Sequence, residues 1–254
     1  MNEAIAQQAQ RLIATYPRQR PALSQAVAER YERQYLMNRS RHSWGGKLSG
    51  IAEAWMHRAV AADLSAQGPA PRVLEVGAGN LNHWRYEPSV KHYEVVEPFE
   101  ALLATSPERE KLAAHYRDLA DLPLNASFDR IVSIAAFEHL MNLPWCIARC
   151  ALALHEGGSL RVAVPSEGGF LWWLGWRLTT GLEFALRYRL DYGEIMRHEH
   201  LSKLREIDTL LRYFFEQIHR RRLGFGTHAS LYAFYHCEKP HLARCKALLD
   251  RTGC

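Results

Sequence analysis

Residues 72–80, Arg-Val-Leu-Glu-Val-Gly-Ala-Gly-Asn, constrain this chain more than any other stretch. Val73, Leu74 and Val76 form a short apolar run of the kind buried on both faces of a parallel sheet, and Gly77 and Gly79 break it where a strand gives way to a helix. Glycines at such a turn let the backbone approach a ligand with no Cβ in the way. The N–H groups that follow face whatever sits at the helix N-terminus. A Gly-x-Gly pair also occurs in ordinary turns, so its surroundings decide.

Twenty residues after Gly77 stands Glu97, at the end of a second strand-like run, His-Tyr-Glu-Val-Val at 92–96. An acid there is placed to hold a ribose diol. Position 82, where a dinucleotide-binding turn carries a third glycine for close packing beneath a pyrophosphate, is Asn82. The pattern therefore points to a ligand with a ribose but no pyrophosphate. Downstream, Asp-Leu-Ala-Asp-Leu-Pro-Leu at 118–124 and Ser-Phe-Asp-Arg-Ile-Val-Ser-Ile at 127–134 read as a polar loop leading into a fourth strand. With these four motifs in order, the chain from about Val73 to Pro165 resembles the class I S-adenosylmethionine-dependent methyltransferases, above all the group acting on small molecules and sugars. A weaker likeness runs on to Lys239.

The resemblance implies a role for each motif. Gly77, Ala78, Gly79 and Asn80 pass beneath the methionine tail and ribose of S-adenosylmethionine, Glu75 faces the tail's amino group, and Glu97 accepts both ribose hydroxyls. Pro98 and Phe99 border the adenine. Asp118 takes the adenine amino hydrogen, Leu119 adds a backbone contact, and Ala135 lies beside the cofactor past the fourth strand. A carboxylate suits paired hydroxyl donors because it has lone pairs for both.

The alternation of strands and helices that starts at Pro71 is that of a parallel sheet with helices on both faces. Strands are expected near 72–76, 92–96, 112–116, 129–134 and 158–164, and helices near 81–86, 98–106 and 143–154. A further helix is expected near 202–213. The runs 216–222 and 229–236, joined by Gly224-Phe225-Gly226, read as an antiparallel closing hairpin. The fold expected is α/β, a Rossmann-like, mostly parallel sheet of seven strands. Residues 1–70 form a helical N-terminal extension, 71–240 the cofactor-binding domain and 241–254 a tail. Within the extension, helical stretches fall in 2–36 and 49–66, with Arg39, Arg41 and Trp44 in a loop between them. That loop either meets the cofactor's carboxylate and covers the substrate, or holds solvated charges and a packed Trp.

The segment 168–192 inserts Trp172, Trp173, Trp176, Phe184 and Tyr188 after the fifth strand. Three readings fit it: a substrate lid, an amphipathic helix on a lipid surface, or a helix packed on the sheet.

An acceptor hydroxyl needs a base, and histidine suits neutral pH. Of 13 histidines, His139 (in Phe-Glu-His-Leu after the fourth strand), His198 and His200 (in Arg-His-Glu-His-Leu) fall where open α/β sheets bind ligands. One of the three is expected to be base or substrate anchor. Some RNA-end 2'-O-methyltransferases and some quinone-pathway O-methyltransferases hold a divalent metal with such residues. Glu138, His139 and either His198 or His200 imitate that set, but Ala135 stands where the RNA-end enzymes carry another acid, so no metal is expected.

Composition adds boundaries. The chain has 254 residues, and 48% hydrophobic content supplies a core. The net charge of +5 is spread over 32 basic and 27 acidic residues without a cationic arm, so no nucleic-acid partner is expected. Five cysteines without a Cys-x-x-Cys pair suit a reducing cytoplasm. No signal peptide or membrane span is read, although peripheral membrane contact remains open. The function expected is methyl transfer to oxygen or nitrogen of a small molecule or sugar. Its rivals are a metal-assisted RNA 2'-O-methyltransferase and a non-catalytic scaffold that binds S-adenosylmethionine.

Overall fold

A computed structural model describes residues 3–38, 46–62, 71–88 and 90–252. The loop residues Arg39, Arg41 and Trp44 lie outside the described residues. In chain order the elements are α1 (Glu3–Ile13), α2 (Gln25–Asn38), α3 (Gly46–Ala61), β1 (Arg72–Val76), β2 (His92–Val96), α4 (Glu100–Leu103), β3 (Ala114–Tyr116), β4 (Phe128–Ile134), α5 (Leu143–Leu152), β5 (Leu154–Pro165) and α6 (Phe170–Trp176). They continue with α7 (Leu182–Tyr188), α8 (Tyr192–Glu199), α9 (Leu204–Phe214), β6 (Phe215–Phe225), β7 (Ala229–Pro240) and α10 (Leu242–Thr252).

The seven strands form one sheet in the order β3-β2-β1-β4-β5-β7-β6. β1 to β5 pair in parallel, β7 runs against β5, and β6 pairs antiparallel with β7. This is the doubly wound sheet with a closing hairpin that the alternation of motifs predicts. Its order reverses at β1, where β2 lies on one side and β4 on the other. Crevices form at the carboxyl ends of strands at such a switch point.

The two-residue period of each strand feeds two cores. Leu74, Ile131, Val162 and Tyr235 point to one face, where they join α5, α9 and α10. Their neighbours Val73, Val132, Ala163 and Phe234 point to the other face and pack on Met56, Ala59 and Val60 of α3. α9 shows why such helices form. Leu204, Ile207, Leu210, Leu211 and Phe214 make one buried stripe, while Asp208 and Arg212 pair with each other on the outer side.

Several expected boundaries shift. The stretch expected as a helix at 81–86 is a turn with only a 3-10 segment, Trp84–Tyr86, and Leu81 sits at φ +62°. The left-handed residue directly after the glycine turn stops a helix from propagating there. The helix expected at 98–106 shrinks to α4, and the third strand to 114–116. The expected helix at 49–66 is α3, which ends at Ala61. Its last carbonyls are taken by two buried strand arginines rather than by a glycine cap. Arg161 donates to Val60 O at 2.6 Å and Ala59 O at 3.0 Å, and Arg130 donates to Val60 O as well.

Candidate active site at the switch point

β1 leads straight into the glycine turn. Gly77 (φ +77°) and Gly79 (φ +55°) both occupy the left-handed region that glycine enters without strain. At Gly77 space matters as much as φ, since a Cβ would fall 2.5 Å from Ala136 Cβ. The turn is thus pressed against the chain leaving β4, where Ala135 itself has φ +50°. The buried Ser133 adds a tie, donating from Oγ to Val76 O at 3.0 Å.

Glu97 leaves β2 toward this turn and is 3% exposed. One carboxylate oxygen accepts from Gly79 N at 2.7 Å and the other from Phe99 N at 3.0 Å. A carboxylate oxygen has two lone-pair directions, so each retains one for a further donor such as a ribose hydroxyl. Glu75 lies on the α3 face of the sheet and accepts from Tyr93 OH at 2.9 Å. Burial pushes its carboxyl up to about 8. Pro98 and Phe99 are exposed at the edge beyond β2. Asp118, also exposed, caps the 3-10 turn Leu119–Asp121 by accepting from Ala120 N at 2.8 Å, and Leu119 is buried beneath it.

A second group of side chains stands past the carboxyl ends of β4 and β5. The short 3-10 turn Phe137–His139 follows β4. The chain after α8 is tied to it by bonds from Leu201 N and Ser202 N to Glu138 O, at 2.8 and 3.1 Å. This brings His200 beside His139, with ring centroids 4.9 Å apart. One ligand atom from each of Glu138, His139 and His200 falls within 4.8 Å of the others. Both imidazoles are oriented through Nδ1, that of His139 toward Glu199 O at 2.9 Å and that of His200 toward Glu167 Oε2 at 2.7 Å. The Nε2 of His139 lies 3.7 Å from Glu138 Oε1. Glu138 is buried, and its Oε2 has no hydrogen-bond partner among the described residues.

The electrostatics follow from burial. Desolvation raises the Glu138 carboxyl, partly offset by His139, and it lowers the His139 imidazole, which Glu138 pulls back toward the charged form. Burial also pushes Glu167 up, but bonds from His200 and Trp172 outweigh it and leave its pKa below the ordinary value. Trp172 of α6 covers this group, donating to Glu167 at 2.6 Å and stacking on His200 at 6.3 Å.

His198, the third histidine singled out in the sequence, turns away. Its Nδ1 meets Pro21 O at 2.6 Å and its ring contacts Tyr31 of α2. Glu167 was missed by sequence reasoning. Its signal was its place two residues past the end of β5.

An open sheet with this strand order, a glycine turn at its switch point and an acid at the end of β2 defines the class I methyltransferase fold. Residues 74–162 match the family model described as a methyltransferase domain. The chain therefore carries a methyltransferase domain on the fold of the class I S-adenosylmethionine-dependent methyltransferases. Among solved structures it is similar to the N-methyltransferase NodS from Bradyrhizobium japonicum, in complex with S-adenosyl-L-homocysteine, at 15% identity over 76% of this chain and 89% of that one, with a TM-score of 0.52. It is similar also to an S-adenosylmethionine-dependent methyltransferase from Clostridium acetobutylicum, at 11% identity over 74% and 92% of the two chains, TM-score 0.50. Phosphoethanolamine N-methyltransferase 2 from Haemonchus contortus, in complex with S-adenosyl-L-methionine, aligns at 14% identity over 75% of this chain and 56% of that one, TM-score 0.51. Identities this low establish the fold alone. No curated protein matches the sequence.

Proposed function

We propose that the enzyme transfers the methyl group of S-adenosylmethionine to an oxygen or nitrogen of a small-molecule or sugar acceptor, held between the glycine turn and the Glu138–His139–His200 group. The observation that carries this reading is the contact of Gly77 with Ala136, which sets the two groups on one edge of the sheet. Gly77 and Gly79 leave the backbone bare for the cofactor, and Glu97 receives its ribose. When bound, the cofactor supplies a methyl carbon on a positively charged sulfur. The reaction forms a bond from acceptor oxygen or nitrogen to that carbon as the carbon–sulfur bond breaks, with the electron pair staying on sulfur.

The protein's part is alignment, exclusion of water and removal of the acceptor's proton. With Nδ1 held by Glu167, the Nε2 of His200 is the proton acceptor, and His139 beside it stays neutral near pH 7 because burial lowers its pKa. Trp172 closes the site from above. Among the described residues four cysteines, three of them buried, are free thiols, which supports a cytoplasmic setting.

A second reading, favoured by the unpartnered Glu138 Oε2, is that Glu138, His139 and His200 hold a divalent ion. Two imidazoles and a carboxylate suit a first-row transition ion, which would polarise an acceptor hydroxyl.

The test is incubation with labelled methyl donor and candidate acceptors, followed by mass analysis for one added methyl. His200→Gln should lower kcat by about a hundredfold or more while cofactor affinity, read by calorimetry, stays unchanged. Full turnover in His200→Gln would remove His200 from the chemistry. Loss of activity on chelation, restored by one added ion per chain, would establish the second reading over the first.

A further inference from the structure

The aromatic insertion has an outer face that the acceptor site does not use. From Phe170 to Tyr188 the chain is one continuous helical run: α6, a π-helical turn at Arg177–Gly181, and α7. Trp172, Trp176, Phe184 and Tyr188 form its inner row. Phe184 is 1% exposed in a cluster with Val27 and Ile195, and Trp172 roofs the histidines. Two residues round, roughly half a turn away, lies an outer row at i+4 spacing, Phe170, Leu178, Leu182 and Leu186. Its exposures are 60%, 61%, 50% and 76%, and Trp173 adds 42% beside Phe170. The wider π turn takes up the drift that i+4 spacing suffers in an ideal α-helix, so the row stays on one side.

Large apolar side chains in a row without a partner are unusual on a protein surface. What flanks them identifies the occupant. Arg177 and Arg189 fall on one side of the row and Arg187 on the other, and Glu183 is the single acid of residues 170–189. Three cations bordering an apolar stripe match an interface with hydrocarbon at the centre and anionic phosphates beside it. The excess of three arginines over one acid, Glu183, which lies on the side of Arg187, is what favours an anionic surface.

We propose that the outer face of this helix rests on an anionic phospholipid surface, with Phe170, Trp173, Leu178, Leu182 and Leu186 entering the headgroup boundary and Arg177, Arg187 and Arg189 pairing with phosphates. The inner face meanwhile roofs the acceptor site, so docking places that site at the membrane surface. The surface stands whether or not the reading of the acceptor site holds, because its test needs no turnover.

The full chain is sedimented with vesicles of phosphatidylcholine alone and of phosphatidylcholine mixed with phosphatidylglycerol. Partition onto the mixed vesicles should be stronger by about tenfold or more, and added salt should weaken it. The triple variant L178E/L182E/L186E should stay in the supernatant while keeping the wild-type circular dichroism spectrum, and R177Q/R187Q/R189Q should lose the preference for anionic vesicles. Should the leucine variant unfold, tryptophan quenching by brominated lipid in the wild type and in Trp173→Phe decides instead: quenching that Trp173→Phe reduces supports docking, and no quenching overturns it. The proposal also fails if the wild-type chain ignores anionic vesicles, or if a folded L178E/L182E/L186E partitions as wild type does. Light scattering that shows a dimer dispersed by that variant would assign the face to a second copy of the chain, and would equally overturn it.

Discussion

At Glu97 a single side chain holds the glycine turn through Gly79 N and, on the function proposed above, presents its remaining lone pairs to the ribose. Glu97→Ala removes both, and loss of charged hydrogen bonds should weaken S-adenosylmethionine binding by about 1–3 kcal/mol in calorimetry. Affinity equal to wild type would remove Glu97 from the cofactor site. Glu75 behaves differently, because its carboxyl lies under the sheet and has been pushed up from 4.5 to about 8. A carboxyl whose folded pKa is raised holds its proton more tightly when folded. Its contribution to stability is therefore full below about pH 4.5 and is lost as pH rises through 8. Glu75→Gln cannot ionise, so its stability relative to wild type should improve from pH 5 to about pH 8 and level off by pH 9, by an amount on the order of a few kcal/mol in all. Urea midpoints measured across that range check this, and a difference that does not change with pH would contradict it.

α3 ends on two arginines that arrive from β4 and β5, and this cap was not legible in the sequence. Arg130 and Arg161 are buried strand residues, and the carbonyls they satisfy lie 70 to 102 positions away along the chain. No local pattern carries such a pairing. Arg161→Leu keeps an apolar filling but strips partners from Ala59 O and Val60 O. It should cost about 2–4 kcal/mol of stability in chemical denaturation, and a loss below about 0.5 kcal/mol would mean that water or Arg130 takes over the cap. The strands themselves were legible, since an apolar run between polar turns encodes burial directly. The helix expected after Gly79 was not, because the positive φ of Leu81 depends on packing around residue 81 rather than on its identity. The histidine group was legible in part. His139 and His200 were both candidates, yet that His200 rather than His198 joins His139 depends on α8 ending at Glu199, which lets the chain return to Glu138 O.

For the molecule as a whole, the cofactor's expected place touches the ends of β1, β2 and β4, the strands on which both cores converge. A ligand bound there holds together elements that must separate for the sheet to unfold, so its binding energy adds to the stability of the cooperative unit. At a concentration one hundredfold above its Kd, a ligand that binds only the folded state contributes about 2.7 kcal/mol. In a domain of this size each kcal/mol moves the melting midpoint by about 2–4 °C. S-adenosylmethionine or S-adenosylhomocysteine at that excess should therefore raise Tm by about 5–10 °C. Glu97→Ala at the same ligand concentration should show a markedly smaller rise, whereas L178E/L182E/L186E should show the full one, because its substitutions lie on the far side of α6 and α7. Differential scanning fluorimetry reads all three proteins side by side. An equal rise in Glu97→Ala would place the nucleoside somewhere other than the turn between β1 and β2.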